Sequence, residues 1–453
     1  MTAFLDGERM KEIFQERLPG FTDGRLTISH CVIDEVRCQT DAKYRRRQRP
    51  LLCVSYRLDV SPAEDGQHGE QRLYAEVYAD GLSRVRSREL LGGQWCPPRF
   101  GAPVVHFPEL GAIVWAFPND PALRHLADVI DPGRVKYYLP YEALPAGLDE
   151  PADVTAIRAD VLRYKPGTHC AARYEIAWES KDGPRVHSVF GKTFKDDRAS
   201  DVARQLDVVW QKSLDDPKSF LVARPLGWAA PVNMVWQATL AGQPLLPIVD
   251  GGHCEDVLER VGTALAVLHE TEPVAGITVD VNDQLIEMQK QIAALSELFP
   301  SLQAELDALA LRLAAQASVL TPVAETLVHG DFIAKNLLAH DGRIVVCDFD
   351  DFVIGDPVQD VARFLVDLHF LEDRDSHWVN LRRRDRDAVN AKAAVVLDAY
   401  RSRARWKVSD DDLTWHWQVQ LIAKIHYYYK RQHLRPGFER DLQDMLALIE
   451  RDR

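Results

Sequence analysis

The stretch LVHGDFIAKNLL (327–338), followed by IVVCDFDD (344–351), assembles residue types able to transfer a phosphoryl group. His329, Gly330, Asp331 and Asn336 form H-G-D-x-x-x-x-N, and Asp348 stands 17 residues after Asp331, at the end of the next apolar run. A carboxylate such as Asp331 accepts the proton of an attacking hydroxyl and orients it. Asn336 adds a neutral carbonyl oxygen and Asp348 a carboxylate. Hard oxygen ligands of this kind suit Mg²⁺, which bridges triphosphate oxygens and offsets the charge that develops there. Lys335 has two readings: a cation reaching the transferring group, or a solvated side chain. His329 reads as structural. Asp360 reads as a support of the loop through hydrogen bonds, or as the cap of a helix starting at 358–361. Asp350, Asp351 and Asp356 add negative charge, either for a second Mg²⁺ or a cationic substrate, or as a solvated acidic loop.

Two short apolar runs joined through Asp341-Gly342 read as a β-hairpin that brings Asp331 and Asp348 to one edge. Helices must surround it. Val257, Leu258, Val261, Leu265 and Leu268 recur at helical spacing, as do Leu285, Met288, Ile292, Leu295 and Phe299, then Leu302, Leu306, Leu309 and Leu313. These stripes read as core. The first half of the chain is instead rich in strand-like runs with Pro and Gly punctuation, and the change falls near 245–255.

The first half also repeats itself. Residues 35–60 resemble 161–178, 72–81 resemble 187–196, and 107–123 resemble 223–245, with Val-Trp at 114–115 and at 235–236. A duplicated β unit explains this; two sheets of like size are the alternative. In the duplicated register Glu76 stands where Lys192 stands in the second copy. A carboxylate there repels a triphosphate, so the first copy is expected to be a cap or docking surface that binds no nucleotide.

With 453 residues, 46% apolar and 27% charged, the chain is expected to fold into two or three domains rather than remain disordered. A formal net charge of −13 argues against nucleic-acid or anionic-membrane surfaces. The N-terminal residues show no secretory pattern, and no apolar run approaches the ~20 residues that span a bilayer. Seven scattered cysteines without a C-x-x-C pair read as reduced core thiols. A cytoplasmic protein is the expectation; monomer and homodimer stay open.

The H-G-D-x-x-x-x-N and D-F-D residues, continued by GDPVQDVARFL (355–365), resemble the aminoglycoside phosphotransferase and choline kinase group, which has the protein-kinase-like fold. TLAGQPL (239–245) is similar to that group's inter-lobe hinge, and VGTALAVLHE (261–270) to the helix after it. The resemblance covers about 152–370. It implies an α+β, bilobal fold with a β-rich N-lobe (150–247) and a mainly helical C-lobe (248–453), here preceded by an additional β-rich domain (1–145) resembling a degenerate N-lobe. It implies an ATP- and Mg²⁺-dependent kinase of a small-molecule hydroxyl (sugar, aminoglycoside or amino alcohol), with Asp331 as base and Asn336 and Asp348 as metal ligands. Lys192, in SVFGKTF, takes the place of the lysine that contacts the α- and β-phosphates. Gln237, Thr239 and Leu240 would line the adenine hinge, and Gly167 and Thr168, in KPGTHC (165–170), would offer backbone amides to the phosphates.

The family pairs its strand lysine with a glutamate on the next helix. Here RASDVARQLDVVWQ (198–211) offers only Gln205, Asp201 and Asp207: Gln205 as a hydrogen-bond partner of Lys192 at the nucleotide site, or Asp207 as a salt-bridge partner with a shorter side chain. The C-terminal helices should form the acceptor pocket, with candidates Trp378, Trp415, Trp417, His426, Tyr427 and Tyr428, most of them read as core. A binding module without transfer, or a kinase of a protein side chain, is the alternative.

Overall fold

The computed structural model describes residues 2–38, 49–62, 68–79, 81–90, 93–320, 323–375, 378–435 and 437–451, with backbone alone for a few of these. Alternating apolar residues in three long runs near the N-terminus produce an antiparallel meander: β1 (Leu26–Cys38), β2 (Leu52–Pro62) and β3 (Gly69–Val77). Helix α1 (Gly7–Arg17), capped by Asp6, covers one face through Phe14. After α2 (Leu82–Leu90), the hairpin β4 (Val104–Phe107)–β5 (Ala112–Ala116) completes a sheet of order β1-β2-β3-β5-β4.

The same plan recurs in β6 (Val154–Lys165), β7 (His169–Ser180) and β8 (Gly183–Phe194), then α3 (Ala199–Asp215), the short β9 (Phe220–Leu221), and the hairpin β10 (Pro225–Ala229)–β11 (Met234–Ala238). The order is β6-β7-β8-β11-β10, the first sheet's order repeated. The intervening segment packs Leu126, Val129 and Leu139 on the sheet's outer face, against Tyr174, Met234 and Trp236. The inner face carries Ala171, Lys192 and Val235, paired side by side across three strands.

Lys192 and Glu76 occupy corresponding faces, the face on which α3 or α2 packs. The Val-Trp match does not carry over. Trp115 lies on the Glu76 face with Tyr74, whereas Trp236 lies on the outer face away from Lys192. The two strands are out of register by one residue, and a one-residue slip reverses every side chain.

Beyond Ala238 the chain enters the C-lobe. There β12 (Gln243–Pro244) pairs with one side of the hairpin expected around Asp341-Gly342, and β9 joins its other side. The leucine stripes form α4 (Glu255–Leu268), α5 (Val281–Leu298) and α6 (Gln303–Ala317), and most of their members are buried in one core. Between α4 and α5 comes β13 (Thr278–Val279). The segment carrying H-G-D-x-x-x-x-N and D-F-D-D follows as β14 (Thr326–Val328), β15 (Leu337–His340), β16 (Arg343–Val346) and β17 (Val353–Gly355). The expected hairpin is β15–β16, and its turn uses Asp341 and Gly342, both at positive φ. Next come α7 (Val358–Leu368), the ribbon β18 (Phe370–Asp375)–β19 (Trp378–Arg383), α8 (Arg386–Arg403), α9 (Asp410–Gln432) and α10 (Phe438–Arg451). This is the two-lobed, kinase-like α+β architecture the sequence led one to expect. None of the described helices is long and apolar enough to cross a membrane.

Candidate active site

The loop that carries His329, Gly330 and Asp331 is held from below by α7. Fully buried Asp360 accepts the backbone amides of His329 (2.6 Å) and Gly330 (2.9 Å), and also contacts His269 Nε2 (3.1 Å). It is therefore a support of the loop. Gly330 has φ +81°, and a side chain there would run into the Asp351 carbonyl, so only glycine fits. His329 is structural: Nε2 donates to the Cys347 carbonyl (3.0 Å) and Nδ1 accepts the Asp331 amide (3.3 Å).

These bonds leave the Asp331 carboxylate facing a cavity. Arg363 Nη2 and Nε donate to its Oδ1 (2.6 and 3.1 Å), and Asn336 Nδ2 donates to its Oδ2 (2.9 Å). Burial works to raise the Asp331 carboxyl, but the Arg363 guanidinium and these hydrogen bonds hold it below the ordinary carboxylate value. Because Asn336 spends its NH₂ on Asp331, its carbonyl oxygen is left for another partner. Asp348 follows β16 in a left-handed conformation (φ 68°, ψ 61°), which is costly for a non-glycine residue and typical of functional positions.

Lys192 reaches across the cleft to this loop. Its Nζ lies 2.6 Å from Asp348 Oδ1 and also ion-pairs with Asp350. Burial alone would raise Asp348; the ammonium more than offsets it and pulls the carboxyl below the ordinary carboxylate value. Asp350 moves the opposite way, raised by burial and by the neighbouring Asp348 charge. Gln205 is not the lysine's partner. It is buried, and its Oε1 accepts the Val274 amide (3.2 Å). Among the described residues, Asp207 forms no ion pair with Lys192 either. The charge that the helix lacks is supplied by the D-F-D-D run.

Two further expectations change. The Gly167 amide is already given to Asp120 Oδ2 (2.7 Å), and the Thr168 amide closes the turn on the Lys165 carbonyl (3.0 Å). Neither amide is therefore offered to an anion; Lys165, Thr168 and His169 instead line the cavity. Lys335 is not simply solvated: it borders both clefts, 3.5 Å from Glu372 Oε2. Asp356 is no acidic-loop residue either. It is buried and accepts the Val358 and Val323 amides. Asp351 is mostly exposed and lies 3.7 Å from Arg198.

Two cavities meet at Asp348. One, of about 500 Å³, runs between the lobes from Gln237, Thr239 and Leu240 past Ala171, Val235, Leu338 and Val346 to Lys192. The other, of about 400 Å³, opens from Asp331 toward α9. Of the aromatic candidates, Tyr427 and Tyr428 line the second cavity. Trp415 and Trp417 are core, and His426 is buried against Tyr429. The side chain of Trp378 lies outside the described residues. Arg363 and Gln420, which donate and accept one bond between them (3.1 Å), are among the lining residues that sequence reasoning missed, as are Asp367, Glu372 and Lys424. Arg363 was visible only as one of several polar positions in GDPVQDVARFL.

Residues 193–405 match the sequence profile of the phosphotransferase enzyme family. No curated protein matches the sequence. Similar solved structures include a choline kinase from Cryptosporidium parvum (14% identity, TM-score 0.42, covering 65% of this chain and 91% of that one). Another is a choline/ethanolamine kinase family protein from Mesorhizobium loti (12%, 0.45, 68% and 90%). A third is an ADP-bound aminoglycoside phosphotransferase (16%, 0.41, 65% and 92%). The profile match meets the phosphotransferase expectation for the C-lobe. It begins one residue beyond Lys192, so the N-terminal sheet and nearly all of β6–β8 lie outside it.

Proposed function

We propose that this chain, whose residues 193–405 carry the phosphotransferase pattern, moves the γ-phosphoryl group of ATP to a hydroxyl of a small molecule. The observation that carries the reading is the convergence of Asp331, Asn336, Asp348 and Lys192 where the two cavities meet. The inter-lobe cavity, apolar on both walls and ending at the half-buried Lys192, suits an adenine ring with its phosphates directed inward.

The donor set fits Mg²⁺. Asn336 Oδ1 and the Asp348 carboxylate are the residues that would hold it, with phosphate oxygens and water completing a shell of hard oxygens. When bound, the ion would offset the charge of the triphosphate. Lys192 holds the Asp348 carboxylate ionised meanwhile, and is itself placed to meet the phosphates. Asp331 accepts the hydroxyl proton, and Arg363 and Asn336 fix its orientation. Its pairing with Arg363 makes it a weak base, so positioning of the hydroxyl and stabilisation of charge supply most of the acceleration. The alternative of a binding module without transfer rested on the missing helix glutamate and on the extra N-terminal copy; pairing of Lys192 with Asp348 and Asp350 weakens the first of these grounds.

The acceptor cavity favours an uncharged, sugar-like polyol over a polycation. Each carboxylate on its wall lies within ion-pair distance of a Lys or Arg: Asp331 of Arg363, Asp367 of Lys424 (2.7 Å), Glu372 of Lys335, Asp196 of Arg198 (2.6 Å). Asp348 and Asp350 have Lys192, and Asp351 has Arg198. A cationic acceptor would have to displace one of these internal partners. An ATP-consumption screen with Mg²⁺ over neutral sugars, amino alcohols and aminoglycosides tests this. Turnover with neutral polyols is expected; turnover confined to polycations would contradict the acceptor reading, and none with any class would contradict the enzyme reading.

A further inference from the structure

In the second sheet the inner face closes over the inter-lobe cavity. In the first sheet the same face is already occupied. The turn between β6 and β7, Lys165–Thr168, is pressed against it: a side chain at Gly167 would come within 3.6 Å of the Tyr74 hydroxyl and 3.8 Å of Arg37 Nη2. Arg37, at the end of β1, donates to the Pro166 carbonyl (2.5 Å) and reaches Thr168 Oγ1 (3.5 Å). Asp120, buried after β5, accepts the Gly167 amide (2.7 Å) and the Tyr164 hydroxyl (2.8 Å) through Oδ2. Its Oδ1 accepts the amides of Ala122 and Leu123 (2.8 and 3.0 Å). The backbone of the turn is thus satisfied from behind, while Lys165 and Thr168 face the cavity beside Asp331 and Asp348.

The first sheet also grips the other lobe. Glu35 of β1 pairs with Arg431 of α9 (2.9 Å), and Arg431 lies over the ring of Tyr427, 3.9 Å from its centre. Tyr427 lines the acceptor cavity. Two neighbouring residues of one strand, Glu35 and Arg37, therefore tie together the turn above the site and the helix beside it.

We propose that the N-terminal domain is a second N-lobe whose nucleotide face has become a clamp, and that Arg37 and Asp120 are positioning residues for the turn that presents Lys165 and Thr168 to the nucleotide phosphates. It rests on the phosphotransferase reading. A turn held in place beforehand is not ordered at the moment of binding, so the ligand does not bear that cost. In the sheet, Glu76 stands on the face where its counterpart carries Lys192, with its carboxylate accepting from the Tyr74 hydroxyl (3.1 Å) and from Tyr78. That face is built to hold protein.

The test uses the full chain with Arg37→Ala, Arg37→Lys and Asp120→Asn, and two readouts. The first is MgATP affinity by calorimetry, with KM for ATP and kcat measured separately. The second is hydrogen exchange at 165–169, which needs no nucleotide. Arg37→Ala and Asp120→Asn are expected to weaken ATP binding about tenfold, the scale of one lost hydrogen bond to a charged group, with kcat changed much less. Arg37→Lys recovers part of the loss, and the Gly167 amide exchanges faster in Asp120→Asn. Folded variants with wild-type affinity, or with wild-type exchange at the turn, overturn the proposal. Should Arg37→Ala not fold, Arg37→Lys and Asp120→Asn carry the same readouts. A wild type that binds no ATP sinks the phosphotransferase reading instead, while the exchange measurement still decides whether the clamp exists.

Discussion

Arg363 sets the working state of Asp331. Two of its nitrogens share one carboxylate oxygen, and the guanidinium holds that carboxyl below its ordinary value. Replacing it with Gln removes the charge and the fork. The Asp331 value then rises, so the carboxylate proposed as the base is lost to protonation at a higher pH than in the wild type. The acid limb of the kcat/KM profile for Arg363→Gln is therefore expected to move to higher pH. An unmoved limb would mean that the arginine does not govern the base. Asp331 and Asn336 were legible in the sequence because one short loop carries both. Arg363 was not: it comes from α7, and only packing shows which side of that helix meets the loop. The same holds for the partners of Lys192, since Asp348 lies 156 residues away and no local pattern joins them.

At the scale of elements, the hairpin, the helices and the third-strand lysine were readable, because each rests on periodicity or on turn chemistry. The hairpin turn at Asp341-Gly342 and the buried stripes of α4 to α6 are of this kind. Which amides a turn offers was not readable. KPGT looks like an anion-binding turn until Asp120, 47 residues earlier, is found on the Gly167 amide. Register is a third limit: Trp115 and Trp236 match in sequence and face opposite ways. The His329–Asp331 loop fits closely against Asp351. Gly330→Ala puts a Cβ into the Asp351 carbonyl at positive φ. A loss on the order of 1–3 kcal/mol is expected in chemical denaturation, with activity falling because the loop shifts. Wild-type stability and rate would contradict that packing.

The whole molecule is two like sheets on one helical lobe. Its architecture was legible down to the extra domain, because sheet order follows the sequence of strands, helix and hairpin. The docking of one sheet on the other was not, since it depends on long-range contacts such as Arg37 with Pro166. Glu76 gives this scale a pH signature. Burial, the largest influence, raises its carboxyl above the ordinary value despite the tyrosine hydroxyls that favour the ionised form. The folded state therefore holds this proton more tightly than the unfolded chain. Its contribution to stability is full below about pH 4, the unfolded value, and is lost as the pH rises through the raised folded value. Urea melts of Glu76→Gln should accordingly improve relative to the wild type as the pH rises above about pH 4, the unfolded value; a pH-independent difference would contradict a raised value. At this scale the central claim is that the two cavities form one catalytic site. The most direct measurement is ATP turnover with an accepted polyol, run beside MgATP binding, for the wild type and Asp331→Asn. A fall in kcat of about 10²- to 10⁴-fold with nucleotide affinity nearly unchanged is expected. Turnover equal to the wild type would contradict it.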